Sequence, residues 1–113
     1  MAVTPGYQRF VLEQLKQIPL VTAKRMFGGV GLYADGYFFA LIDDDRLYFK
    51  VDDSNRPDFE AAAMEPFRPY GDERAMQYYE VPADVLEDAD ALQRWAEKAV
   101  AVARRARKRK KRT

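Results

Sequence analysis

The strongest constraint in this sequence is the alternation of apolar and polar residues within the segment 21–51. Leu47, Phe49 and Val51 point to one side of a strand, and the residues between them point to the other. Asp35-Gly36 lies between two strand-like runs. This pair favours a two-residue hairpin turn, because both central positions of a type I′ turn need positive φ. The segment is therefore predicted to form an antiparallel meander with one buried face.

Further strands and turns follow from the same reasoning. The predicted strands of the meander are Val21–Phe27, Leu32–Ala34, Tyr37–Ile42 and Arg46–Val51, with a turn at Asp43–Asp45. The glycines within residues 28–31 are expected to break or bulge the first part of this meander. A second hairpin is predicted from the strand-like runs Phe67–Tyr70 and Ala75–Val81, joined by a turn at Gly71-Asp72.

Helical spacing of apolar residues flanks and interrupts the strands. It predicts a first helix over residues 5–18, a short helix over residues 52–64 and a main C-terminal helix over residues 90–103. The candidate N-caps are, in chain order, Thr4, Ser54 or Asn55, and Asp88 or Asp90. Runs of strands separated by helices indicate an α+β fold and not a parallel α/β sheet.

The length of 113 residues corresponds to one domain, and a hydrophobic content of 48% is enough for a modest core. We expect an antiparallel sheet covered by the first and last helices. The predicted core residues are Phe10, Leu15, Leu41, Phe49, Phe59, Leu92 and Trp95.

The charges are distributed unevenly. Residues 104–112 carry eight of the 19 lysines and arginines and no acid, whereas the rest of the chain holds 11 basic and 18 acidic residues, a net charge of −7. An acidic globule with a basic tail points to nucleic acid or another polyanion as a partner. We therefore divide the chain into a domain, residues 1–103, and a basic tail, residues 104–113. The predicted nucleic-acid-binding residues are Arg104, Arg105, Arg107, Lys108, Arg109, Lys110, Lys111 and Arg112.

Catalytic chemistry is poorly supported. The sequence has neither cysteine nor histidine, which removes thiolate ligands and the commonest general base. Ser54 is the one serine and is interpreted as a helix cap. Lys24 and Lys50 lie in alternating strands, where solvent-facing positions are expected. Consecutive aspartates such as Asp43–Asp45 diverge, whereas a metal site needs convergent oxygens. We expect no enzyme activity, no cofactor and no metal, and a cytoplasmic protein without a membrane segment.

Tyrosines recur on the predicted strands, at Tyr33, Tyr37, Tyr48, Tyr78 and Tyr79. A sheet that displays aromatic rings can stack single-stranded bases, although no RNA-recognition motif accompanies these. Packing in the core or at its rim is the favoured interpretation. The competing one is a sheet face or edge used by a homodimer, because small sheets leave such surfaces to be covered and tyrosine is enriched at interfaces.

Several motifs together resemble one known family, the TfoX/Sxy N-terminal domain. The matching segments are Arg25-Met26-Phe27-Gly28-Gly29-Val30-Gly31-Leu32-Tyr33 before Asp35-Gly36, Leu47-Tyr48-Phe49-Lys50-Val51-Asp52, Asn55-Arg56-Pro57-Asp58-Phe59-Glu60, Glu65-Pro66-Phe67 and Met76-Gln77-Tyr78-Tyr79-Glu80-Val81-Pro82. The resemblance extends over nearly the whole globule, from about residue 7 to about residue 103.

This resemblance implies a fold like that of secretion chaperones, in which a curved antiparallel sheet packs on helices. It also implies a regulatory role, since full-length members are competence regulators that act with the cyclic-AMP receptor protein at promoters and carry a second, helical domain. We expect a stand-alone N-terminal domain with the basic tail in place of that second domain. The two functions left open are a non-enzymatic regulator that associates with nucleic acid, and a protein-interaction or dimerisation module without a nucleic-acid role.

Overall fold

A computed structural model describes residues 3–26, 28–68 and 77–112, with side chains described as far as Arg107. The elements, in chain order, are α1 (Pro5–Gln14), β1 (Val21–Met26), β2 (Gly29–Ala34), β3 (Tyr37–Asp43), β4 (Arg46–Lys50), α2 (Arg56–Ala61), β5 (Tyr78–Glu80), α3 (Ala83–Glu87) and α4 (Ala89–Arg112). The five strands lie in chain order in one antiparallel sheet. The predicted single-domain α+β fold is confirmed.

Tight hairpins explain the simple strand order. Asp35 and Gly36 have φ values of 51° and 82°, the positive pair predicted for the turn between β2 and β3. Asp44 and Asp45 both have φ of 53° and connect β3 to β4. Aspartate tolerates this region better than most residues, because its short side chain forms local hydrogen bonds. Both turns were predicted, and each one allows consecutive strands to pair directly.

The connection between β1 and β2 is only two residues long. Met26 pairs with Gly29, and the intervening Gly28 has φ of 78°. A Cβ at Gly29 would overlap the carbonyl oxygen of Ile42, so this glycine permits two strands to approach closely. The predicted strand end at Phe27 lies outside the described residues.

The expected bulge lies further along the chain than the glycines. The register between β2 and β3 shifts between Leu32 and Tyr33. As a result, Phe39 and Ala40 are both fully buried in the same core, although consecutive strand residues normally point to opposite faces.

The main core lies between one sheet face and the helices. Its largest fully buried side chains are Val11, Leu15, Leu32, Phe39, Ile42, Leu47, Phe49, Val51, Phe59 and Leu92. The predictions for Leu15, Phe49, Phe59 and Leu92 are therefore confirmed. Leu41 is buried on the opposite face, together with Tyr48 and Tyr78.

Two of the core predictions need correction. Phe10 is 41% exposed, because α1 turns Val11 and Leu15 toward the sheet and leaves Phe10 at the side of the helix. Trp95 is half-buried and packs edge-on against Phe59, with ring centroids 4.8 Å apart. The fully buried face of each helix is thus narrower than the set of apolar residues from which that face was predicted.

The first helix begins as predicted and ends early. The Thr4 hydroxyl accepts a hydrogen bond from the Tyr7 backbone N–H, and Pro5 occupies the first turn. The helix stops at Gln14 because Leu15 has left helical geometry, with φ of −97° and ψ of 11°. The chain continues in turns, in which Ile18 is still buried.

The short second helix is Arg56–Ala61 and not the whole of residues 52–64. Asn55 is at its N-cap position, but neither Asn55 nor Ser54 caps it through its side chain. The Asn55 amide instead donates to the Lys50 carbonyl at 3.1 Å and accepts from the Asp52 backbone N–H at 2.9 Å. Asn55 therefore fixes the loop that leads from β4 into α2.

The second hairpin is described only in part. Pro66 forms an isolated bridge with Tyr79, and the Phe67 N–H donates to the Tyr78 carbonyl at 2.6 Å. The predicted turn at Gly71-Asp72 lies outside the described residues, as do the strand ends Tyr70 and Ala75.

The C-terminal helix is longer than the predicted 90–103. The Asp88 carboxylate accepts hydrogen bonds from the backbone N–H groups of Asp90 and Ala91, which makes Asp88 the cap. From Ala89 the helix continues through the predicted domain boundary to Arg112. The division into residues 1–103 and 104–113 stays a prediction.

Candidate nucleic-acid interface

α4 consists of two parts with different surroundings, which we name the packed half, residues 89–103, and the basic helix end, residues 104–112. Within the packed half, Leu92, Ala96 and Ala99 are fully buried against the sheet. The helix lies across β3 and β4. The nine residues of the basic helix end extend for about 13 Å at the rise of an α-helix. The sheet thus fixes the direction in which the basic residues project.

Arg105 joins the basic helix end to the loop before α2. Its guanidinium donates to Asp52 Oδ2 at 3.1 Å and to the Ser54 hydroxyl at 2.7 Å. Ser54 in turn donates to Asp52 Oδ1 through its hydroxyl at 2.5 Å and its backbone N–H at 2.8 Å. Partial burial acts to raise the pKa of the Asp52 carboxyl, but the bonds from Ser54 and the Arg105 charge outweigh it and hold that pKa below its usual value.

On the opposite side of the basic helix end, two further arginines contact the ring of Tyr37. The guanidinium groups of Arg104 and Arg107 lie 5.4 Å and 5.2 Å from the centre of the Tyr37 ring. Both distances are within the range of a cation–π contact. Tyr37 directly follows the Asp35-Gly36 turn, so the β2–β3 hairpin and the loop before α2 hold the start of the basic helix end from two sides.

The eight predicted nucleic-acid-binding residues therefore do not form one uniform set. Arg104, Arg105 and Arg107 make contacts within the protein. The other five continue on the same helix: Lys108, Arg109, Lys110, Lys111 and Arg112. No local sequence pattern indicates the contacts with Tyr37 and Asp52, because these partners are distant along the chain.

Three of the aspartates between residues 43 and 53 make contacts within the protein. Asp45 accepts hydrogen bonds from the backbone N–H and the hydroxyl of Thr4, at 2.8 and 2.9 Å, and so ties α1 to the β3–β4 turn. Asp52 is engaged by Arg105, and Asp53 pairs with Arg56. Among the described residues no group of three or more acidic side chains is placed to hold a metal ion.

The aromatic side chains are distributed over both faces of the sheet. Tyr37 and Tyr79 lie on the helix side, where they pack against the core. On the other face, the ring centroids of Tyr33 and Phe38 are 5.1 Å apart, and those of Phe38 and Tyr78 are 5.6 Å apart.

The central tyrosines of this second face are packed inward. Tyr48 and Tyr78 are both buried, and the Tyr48 ring lies 4.8 Å from that of Phe67. Burial, with a smaller effect of Tyr33, raises the pKa of Tyr78 to about 12. Rings enclosed in this way support core packing and not base stacking.

Lys24 and Lys50, both expected to face solvent, differ in their surroundings. Lys24 is exposed on β1, as predicted. Lys50 is only half-exposed. Its ammonium lies 5.0 Å from the centre of the Tyr78 ring and donates to the Tyr78 hydroxyl at 3.3 Å.

A small α+β domain with an antiparallel sheet, a helical layer and a cationic helix end is the class of protein that these observations define. Comparison with protein families matches residues 13–103 to the TfoX N-terminal domain. The chain therefore belongs to the TfoX N-terminal domain family, which confirms the resemblance seen in its motifs. A comparison with curated proteins gives no match. Within the described part of the chain, no helix is long and apolar enough to cross a membrane.

Proposed function

We propose that this protein is a non-enzymatic, cytoplasmic regulator that attaches to nucleic acid through the basic helix end. Family membership supports a competence-regulator-like domain, and the family is one of regulatory domains. The attachment to nucleic acid is our own proposal and goes beyond what family membership supports. In this proposal residues 1–103 form the domain and residues 104–113 the attachment segment.

The observation that carries the proposal is the continuity of α4 from the core into the basic run. The helix is held by buried residues of its packed half, of which Val102 and Ala103 are the last. Arg105 then fastens the first turn of the basic helix end to Asp52. Cations that project from a fixed helix meet phosphates with less loss of conformational entropy than cations on a loose tail.

The charge distribution favours the same surface. The rest of the chain has a net charge of −7, so as a whole it repels a polyanion, and the densest positive charge lies at the helix end. Lysine and arginine at a helix C-terminus also interact favourably with the helix dipole, but that effect falls off within the last turn. Eight cations exceed what the dipole alone explains.

The predicted contacts are with phosphates and are independent of base sequence. Three arginines have partners within the protein, and the proposal assigns the principal phosphate contacts to the other five residues. Five neutralised phosphates give a slope of log K against log[salt] of about −4.5 for duplex DNA. Two duplexes of unrelated sequence should bind with equal affinity.

The test neutralises these five residues in the full chain, as Lys108→Gln, Arg109→Gln, Lys110→Gln, Lys111→Gln and Arg112→Gln together. We expect DNA binding, measured by fluorescence anisotropy at several salt concentrations, to be lost with its salt dependence. A control variant neutralises three exposed cations elsewhere, Lys16→Gln, Arg46→Gln and Arg94→Gln, and should change affinity by less than about threefold. If the five-residue variant binds DNA like the unchanged protein, the basic helix end is not the site.

A second candidate function is a protein-interaction or dimerisation module. The observation that favours it is the edge strand β1, where four successive residues are exposed. An exposed sheet edge is a ready template for pairing with another chain. A homodimer formed in this way would show a concentration-dependent mass in sedimentation experiments.

A further inference from the structure

β1 presents an open backbone edge. It pairs with β2 on one side, and no strand in the described ranges pairs with its other side. Residue pairs along an antiparallel ladder alternate between hydrogen-bonded and non-hydrogen-bonded, and the pair that closes a two-residue hairpin, here Met26 with Gly29, is hydrogen-bonded. By this alternation the backbone N–H and C=O groups of Ala23 and Arg25 point away from β2, on the side where a further strand can be added.

A groove runs beside this edge on the helix side of the sheet. It has a volume of about 440 Å³ and lies between α1 and β1. Its lining combines apolar Val3, Pro5 and Leu12 with polar Gln8, Arg9, Glu13 and Arg25. Ala23 and Arg25 pair with Leu32 and Val30, which are core residues, yet both are exposed because the helices leave β1 uncovered.

The edge is cationic, in contrast to the rest of the globule. Lys24 and Arg25 are exposed on opposite faces of β1, and Arg9 lies across the groove. No hydrogen bond or ion pair with the described part of the chain engages any of these three side chains. Glu13, the one acid among the described lining residues, is paired with Lys16 at 3.2 Å. A local positive charge on a domain of net charge −7 indicates an anionic ligand.

We propose that the β1 edge and its groove bind an extended acidic segment of a partner protein by β-strand addition. The outward backbone groups of Ala23 and Arg25 supply the main-chain hydrogen bonds. Alternate side chains of the added strand enter the groove between α1 and β1, and its acidic residues meet Lys24, Arg25 and Arg9.

A second copy of this chain fits the edge less well. Two β1 strands side by side concentrate four cations from Lys24 and Arg25 along one seam, where like charges repel. An exposed lysine on an edge strand also has a simple protective role, since it discourages aggregation. Protection from aggregation requires neither the groove nor a cation on its far side. The peptide experiment distinguishes this protective role from ligand binding.

The probe is a fluorescently labelled eight-residue peptide with the repeat Glu-Glu-Val-Val, which presents glutamate on both faces of an extended strand, titrated into the full-length protein. Two control peptides accompany it. One has lysine in place of glutamate, and the other keeps glutamate but carries N-methyl groups on alternate backbone nitrogens. We expect the acidic peptide to bind at least tenfold more tightly than either control, because strand addition needs both the charge and the backbone donors. Amide hydrogen exchange at Ala23 and Arg25 should slow when the peptide binds.

Two variants locate the site. Ala23→Pro removes an N–H that does not bond to β2, so the chain should remain folded by circular dichroism while peptide affinity falls at least tenfold. Arg25→Glu should weaken binding to a similar extent, whereas the control Arg94→Glu, with the same change in charge on α4, should have little effect.

Three results would overturn the proposal. The first is equal binding of the N-methylated and unmodified acidic peptides, which would mean charge attraction without strand addition. The second is no binding of the acidic peptide, with Lys24 then serving only to protect the edge. The third is a homodimer that Ala23→Pro dissociates, which would assign the edge to a second copy. Loss of DNA binding in the five-residue variant is independent of all three results.

Discussion

The two halves of α4 differ in what holds them. In the packed half, buried apolar residues face the sheet, and acidic residues such as Asp90 and Glu97 are exposed. In the basic helix end, the sole residue without charge is Ala106, and the described polar contacts are one ion pair, one hydrogen bond to the Ser54 hydroxyl and two cation–π contacts. Burial of a leucine-sized side chain contributes about 1.5–3 kcal/mol, whereas an exposed ion pair contributes about 0–1 kcal/mol. Within one helix, the packed half therefore contributes the stability and the basic helix end carries the positive charge.

The largest expected effect lies in the packed half. Leu92→Ala removes a fully buried side chain and should lower the free energy of unfolding by about 3 kcal/mol, within the range for cavity-forming substitutions. Urea denaturation followed by the fluorescence of Trp95, the single tryptophan, measures this. The neighbouring Gln93→Ala, at a half-exposed position, should cost less than about 0.5 kcal/mol. A cost of less than 1 kcal/mol for Leu92→Ala would show that the packed half does not anchor the helix.

A smaller loss is expected for Trp95→Ala. Trp95 is half-buried and contacts Phe59 through one edge, so its removal should cost about 2 kcal/mol, below the about 3–5 kcal/mol of a fully buried aromatic residue. Phe59→Ala is the matched comparison, because Phe59 is 1% exposed and should cost more. Unfolding is followed by circular dichroism in this comparison, because Trp95→Ala removes the single tryptophan. Equal losses for the two variants would mean that the tryptophan contributes as a core residue.

Trp95 also shows what the sequence can and cannot predict. Periodicity correctly placed it on the inner side of a helix, since local spacing determines which residues share a face. How deeply each residue of that stripe is buried depends on the neighbouring element, here α2, and no local pattern encodes it. Phe10 was misplaced for the same reason. The hairpin turns at Asp35-Gly36 and Asp44-Asp45 were predictable because their chemistry is local.

In the two candidate sites, too, local features could be predicted from the sequence and long-range contacts could not. The basic run was visible from composition alone, but its fixation through Arg105 depends on Asp52, 53 residues away along the chain. The open edge of β1 depends on the strand order and on where α1 stops, so neither the groove nor the outward backbone groups could be located from Lys24 and Arg25 by themselves. Long-range contacts decide both cases.

The smallest effects are expected where the two halves of α4 meet. Asp52→Asn removes the ion pair with Arg105 and should lower the free energy of unfolding by less than about 1 kcal/mol, because the pair is partly exposed. The pKa of Asp52 is lowered in the folded protein, so its contribution is fully present above the usual carboxyl pKa and is lost as the pH falls through the lowered value. The difference in stability between the unchanged protein and the variant should therefore shrink under acidic conditions.

The same substitution sharpens the assignment of the basic helix end. Without its carboxylate partner, Arg105 becomes available to a phosphate, so the slope of log K against log[salt] for DNA should become steeper by about one. Asp53→Asn is the matched control, because it makes the same change in net charge one residue away while the partner of Asp53 is Arg56. We expect Asp53→Asn to leave the slope unchanged. A steeper slope of equal size in both variants would indicate a response to net charge alone, and would contradict the role of Asp52 in occupying Arg105.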